Sequence, residues 1–240
     1  VLIPIAYYVH RRGLTQKYRE SASDRVDRET LRSWTLRSLI MPGVWGSGLD
    51  TLLRDLRQAI IEHGQNEFPS AEIEKQMLLR GKSLVISAEQ VEDILNLPHG
   101  SARTFAVLAV LFPHINTRNL HHVDHVFPQS LLAKPKLKQA GFGPNAVEEL
   151  QIKRDQLPNL QLLEGLENIS KSDSLPTVWA GAVNTTPDSL QAYLDRNEIP
   201  WLPGSLDDFE PFFAERRTAL AQRLTSILAA PTVTLAGVDL

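Results

Sequence analysis

The sequence predicts an α+β fold that is predominantly helical, on three observations. Apolar residues recur at helical spacing through most of the chain. Serine and asparagine caps open several of those runs. Only short segments read as strands, chiefly "HHVDHVFP" and "NLQLLEG", with "SLVIS" as a weaker third.

Taken in order, "SDRVDRETLRSWTLRSLIMPG" offers Asp27 as a cap, a helical run, and Pro42-Gly43 as a stop. In "GLDTLLRDLRQAIIEHG" the residues Leu49, Leu52, Leu53, Leu56 and Ile60 form one stripe, and Gly64 suits the C-terminal cap. Two further helices open on serines, and Ser87 with Gln90 makes a capping box. "RTFAVLAVLFPHI" is apolar nearly all round and reads as a buried helix. Asn145 with Glu148 repeats the capping pattern, and Phe209, Phe213, Leu220, Leu224 and Ile227 place a stripe on a long terminal helix.

Composition narrows the function classes. A net charge of −3 argues against indiscriminate polyanion binding without excluding a local basic cleft. The chain has no cysteine, so disulfides, thiolate zinc knuckles and cysteine nucleophiles are excluded, and a cytoplasmic location is expected. No apolar run approaches the roughly 20 residues needed to span a bilayer, so no membrane partner is expected. The opening "VLIPIAYYV" begins on Val1 within an apolar element and lacks a preceding basic region. It reads as the start of a piece cut from a longer protein rather than a signal peptide. Gly81-Lys82-Ser83 resembles the end of a phosphate-binding loop, but position 76 is Gln76 where that motif needs glycine.

Chemistry concentrates at "HHVDHVFPQS", residues 121–130, which holds three of the seven histidines. A zinc-hydrolase reading would need a histidine at Leu120 and more histidines downstream, and none follows His125. A metal-dependent nuclease makes a different demand: a neutral imidazole to take a proton from water, and oxygen ligands for a hard cation. Adjacent residues on a regular strand face opposite ways. Asp124 and His125 therefore share one site only if the strand twists or turns, as Phe127-Pro128 permits. "LPNLQLLEGLENISKSDSLP" supplies Asn159 and Asn168 around a second short strand.

"VDHVFPQS" followed by "NLQLLEGLENISKSD" resembles the HNH nuclease family, the ββα-metal fold, over about 55 residues, 121–176. It is most like the C-terminal nuclease part of GmrSD-like, modification-dependent restriction proteins of bacterial phage defence. The resemblance implies His125 as the general base and Asn159 as the catalytic residue bracing the loop behind it. Asp124 and Asn168 would be metal ligands, with His122 an additional candidate. Lys171 would touch phosphate, and Lys153, Arg154, Lys134 and Lys136 would belong to the DNA-facing surface. Magnesium is the implied cation, with manganese an alternative and zinc less suited. The implied partners are DNA and a ParB-like nucleotide-binding N-terminal half. The segment departs from a compact ββα unit in length, which a helix within 145–156 explains as an insertion.

On this reading residues 1–115 form a helical region continuing the N-terminal half. Residues 116–180 hold the nuclease motif, and 181–240 form a helical segment packing on the first region. Six basic residues against three acidic ones between 118 and 154 contrast with four against eight between 188 and 240. That places the motif in a basic stretch of an acidic chain. Bland roles compete: His121 reads as a surface or helix-end residue, Asp124 as a turn former, and Asn159 and Asn168 as turn and cap chemistry. A non-catalytic HNH-derived module that binds DNA or another subunit is the alternative function.

Overall fold

The computed structural model describes residues 1–115 and 119–228, apart from the side chains of Asn168 and Ile169. These residues are mostly helical, with one small antiparallel sheet. The described chain divides into two compact units, residues 1–86 together with 227–228, and residues 87–226.

The first unit contains α1 (Leu2–Arg11), α2 (Arg25–Ile40), α3 (Leu49–His63) and α4 (Ser70–Leu79). Leu52, Leu56, Ala59 and Ile60 bury the expected stripe of α3, joined in the core by Tyr8, Trp34 and Phe68. Gly64 closes α3 for a steric reason. A Cβ there would lie 2.6 Å from the Ile60 carbonyl oxygen, which accepts the Gly64 N–H. Asp27 does not cap α2, which begins two residues earlier. It is buried and accepts bonds from Tyr8 Oη (2.7 Å), Tyr18 Oη (2.8 Å) and the Phe68 N–H (2.6 Å). A buried carboxylate persists when its lone pairs are satisfied in this way. The "SLVIS" segment forms no strand, and Gly81, at φ +69°, ends α4 while Lys82 reaches the Gly43 carbonyl.

The second unit starts with α5 (Ala88–Leu95), opened by the Ser87–Gln90 capping box. Next come α6 (Ala102–Leu111) and β1 (His121–His125). Phe105 of α6 is exposed, so that helix is not buried all round. Two helices, α7 (Lys134–Gln139) and α8 (Pro144–Asp155), separate β1 from β2 (Leu160–Glu164). Pro144 starts α8, so Asn145 lies in its first turn instead of capping it. Then follow α9 (Gly165–Lys171), α10 (Pro176–Val183), α11 (Pro187–Arg196) and α12 (Phe209–Leu228).

Strands β1 and β2 pair antiparallel, with His121 opposite Glu164, Asp124 opposite Gln161 and His125 opposite Leu160. Two apolar clusters flank them. One joins Val126, Leu163, Trp179, Tyr193 and Phe212; the other joins Phe127, Leu132, Leu150, Phe209 and Phe213. Both contain residues of α12, so the C-terminal helices pack around the strands. Helix α12 also reaches α5 and α6, where Arg217 bonds Glu92 (2.5 Å) and Asn96 (3.0 Å) and Arg223 the Leu111 carbonyl (2.6 Å). Arg216 fixes this arrangement. It is fully buried and donates to the carbonyls of Pro158, Leu160, Asn197 and Glu198 at 2.8–3.2 Å. Burial pulls its pKa down to about 10, still far above neutral, so it stays a cation.

Candidate active site

The candidate site lies at the end of β1, where the polar residues of the sheet are concentrated. Strand alternation gives two faces. His121, Val123 and His125 share one face, and His122 and Asp124 share the other. His121 is buried, with Nδ1 3.0 Å from the Asn119 carbonyl, so the surface role expected for it is wrong. It opens a strand, and its ring is covered on the same face as His125. His122 is exposed and makes no hydrogen bond among the described residues.

The His125 ring is held from two sides. Its Nε2 lies 2.9 Å from Asp155 Oδ1, at the end of α8. The His99 ring stacks on it with centroids 4.8 Å apart and planes 14° from parallel. The loop carrying His99 is tied to the chain beside Asp155: the His99 N–H donates to the Asp155 carbonyl (2.7 Å) and the Leu157 N–H to that of Leu97 (3.1 Å). His99 Nε2 also meets the Val123 carbonyl at 3.0 Å. Arg154 in turn grips both Asp155 oxygens, through Nε (3.0 Å) and Nη2 (2.5 Å).

These contacts set the protonation states. Burial pushes the His125 pKa below its ordinary value, outweighing the pull of Asp155, so the ring is neutral at pH 7. Burial works against ionising Asp155, but Arg154 and His125 outweigh it and hold that carboxyl below the usual range. An ionised carboxylate only accepts, so the imidazole proton sits on Nε2 and the lone pair on Nδ1.

Asp124 and His125 are brought together by Lys171, although they face opposite ways. Lys171 is buried on α9, donates to the His125 carbonyl (2.7 Å) and pairs with Asp124 Oδ2 (3.0 Å). It therefore does not present its ammonium to a phosphate, because that group is consumed inside the fold. Gln161 Nε2 donates to the same Asp124 oxygen at 3.0 Å and its own oxygen accepts from Tyr193 (3.1 Å). Both contacts fall on Oδ2, and Oδ1 has none among the described residues.

Asn159 braces the backbone after His125 and not its ring. Its side-chain oxygen accepts the Phe127 N–H (2.9 Å), and its nitrogen donates to the carbonyls of Phe127 and Arg154 (3.2 and 2.8 Å). The residue that orients the imidazole is Asp155. Lys153 is paired with Glu149 and Glu210, and Arg154 with Asp155. Among the basic residues assigned to the DNA-facing surface, Lys134 and Lys136 are exposed on α7, with no ion pair among the described residues. Asn168, expected as a metal ligand, has a side chain outside the described residues, as does Arg118 of the basic stretch.

Sequence reasoning missed His99 and Asp155. His99 sits in "LPHGS", between two helices and 26 residues before His125, where no local pattern marks it. Asp155 reads as an ordinary helix-end residue, and only its closeness to Asn159 in "RDQLPN" hinted at the site. No protein-family model matches the chain, and no curated protein matches it.

Proposed function

We propose that the chain is a metal-dependent DNA endonuclease of the HNH type that nicks one strand, the nuclease portion of a bacterial phage-defence or modification-dependent restriction protein. One observation carries the reading. Strand β1 ends on Asp124-His125, β2 returns antiparallel to it, and α9 follows β2 directly and contacts both residues through Lys171. That order matches the strand–strand–helix arrangement the resemblance implies.

The residues then have definite tasks. His125, neutral and with its lone pair on Nδ1, accepts a proton from the attacking water. Asp155 fixes which nitrogen does so, and the stacked His99 ring restricts the imidazole's rotation. Asn159 holds the chain just beyond His125, and Lys171 neutralises and steadies Asp124.

The donor chemistry fits a hard cation. Asp124 offers one carboxylate oxygen without an internal contact, and Asn168 is the second oxygen donor on the family resemblance. Among the described residues no group of three or more His, Asp or Glu could hold an ion alone. A magnesium pattern, with few protein ligands and the rest from water and phosphate, suits that sparse set. When bound, the cation would stabilise the charge that develops on the scissile phosphate.

A second reading, an HNH-derived binding module without catalysis, is favoured by one feature: Lys171 and Asp155 already engage Asp124 and His125. Nicking of supercoiled plasmid decides between the two. Magnesium- or manganese-dependent conversion to the open circle, lost in His125→Ala and Asp124→Ala, supports the nuclease. No nicking with either metal, together with no metal binding by calorimetry, overturns it.

A further inference from the structure

We propose that an arginine-lined groove in the first unit binds the sugar–phosphate backbone of DNA, as a substrate-holding surface with no part in the cleavage chemistry. Residues 1–40 contain eight Lys and Arg against four Asp and Glu, in a chain that is acidic as a whole. The groove, of about 640 Å³, runs beside α2 and is lined by Arg19, Arg25, Arg28 and Arg32, with Glu29 its only acid. Ile5, Leu31 and Leu36 supply apolar lining.

The arrangement is built, not incidental. Arg28 donates through Nη1 to the carbonyls of Tyr18 (2.6 Å) and Ser21 (2.7 Å), fastening the loop that carries Arg19. Tyr18 is fixed again by Asp27. Arg25, Arg28 and Arg32 recur at intervals of three and four residues, so they lie along one face of α2. Glu29 bonds Arg25 alone (2.8 Å), and both are exposed, where such a pair contributes little. Arg19 and Arg32 are exposed and have no carboxylate partner among the described residues.

Cations clustered in this way repel one another and gain from an anion that spans them. From Arg25 to Arg32 the helix rises about 10 Å. That is about the axial length of three phosphates on one DNA strand. An open groove of this length suits a polyanion better than a single phosphate. Guanidinium forks match phosphate oxygens, and the apolar lining suits the sugars between them. The choice of DNA over an acidic polypeptide rests on the nuclease reading.

The test measures fluorescence anisotropy of a labelled 25-base-pair duplex with the whole chain, in EDTA so that no cutting occurs. The variant Arg19→Gln/Arg25→Gln/Arg32→Gln removes three cations without touching Arg28. It is expected to weaken binding at least tenfold and lower the log–log salt slope by about 2 to 3. A control, Lys75→Gln/Arg80→Gln/Lys82→Gln, removes the same charge elsewhere on the unit and should change binding less than threefold. Equal weakening by both variants, or none by the first, overturns the proposal. So does tighter groove-dependent binding of poly-glutamate than of DNA. Plasmid nicking is scored separately, so an active enzyme whose binding ignores the groove refutes this inference and leaves the nuclease reading standing.

Discussion

His125→Ala is expected to slow plasmid nicking by roughly 10² to 10⁴, the usual worth of a positioned general base, with duplex affinity nearly unchanged. The same assay on His121→Ala checks the strand register. His121 is buried and bonded to the Asn119 carbonyl, so its loss should lower stability more than the rate measured on folded protein. Asp155→Asn is a sharper probe. The amide can donate to Nε2, which would move the imidazole proton to Nδ1 and remove the lone pair proposed to accept the water's proton. A fall in kcat of about 10² or more with unchanged KM is expected, and a glutamate at 155 should restore part of the loss. Equal kcat in Asp155→Asn and the parent would show that His125 is oriented by something else. Lys171→Met should lower stability while leaving the salt dependence of DNA binding unchanged, because its ammonium lies inside the fold. A shallower salt slope in that variant would return Lys171 to the phosphate-binding surface.

At the scale of elements, α12 holds the site's frame through its phenylalanines in the two apolar clusters and through the buried Arg216. Arg216 satisfies carbonyls on both sides of Asn159, at Pro158 and Leu160, and joins them to the turn at Asn197-Glu198. Arg216→Met keeps much of the apolar stem but strands those carbonyls, and each buried acceptor left unpaired costs about 1–3 kcal/mol. A loss of at least about 3 kcal/mol in urea unfolding is expected, with nicking lost in parallel because Asn159 and β2 move together. The α5 capping box offers a contrast. Ser87→Ala should cost only about 1 kcal/mol, and the site should keep its activity.

For the whole molecule, the cation is the discriminating variable. EDTA should abolish nicking, and magnesium or manganese should restore it. A chelator selective for zinc should leave it intact, since oxygen donors dominate the proposed ligand set. Activity that is lost to the zinc chelator and regained with zinc alone would point to His122 as a ligand. Among the described residues no helix is long and apolar enough to cross a membrane.

The helical periods, the Ser87 capping box and the two short strands could be read from the sequence, because local spacing and local hydrogen bonds determine them. The positions of Asp124, His125 and Asn159 beside one another in the site followed from the strand and turn pattern and from the family resemblance. What the sequence could not supply was partnership over distance. His99 reaches His125 from a loop 26 residues upstream, and Arg216 reaches Pro158 from 58 residues downstream. Asp27, expected as a cap, became a buried acceptor because Tyr8, Tyr18 and Phe68 converge on it. Lys171, expected at a phosphate, turned inward because Asp124 and the His125 carbonyl lie within its reach. Local pattern sets which residues a helix or strand presents. Only the packed fold decides which of those charges meet a partner inside and which remain for a substrate.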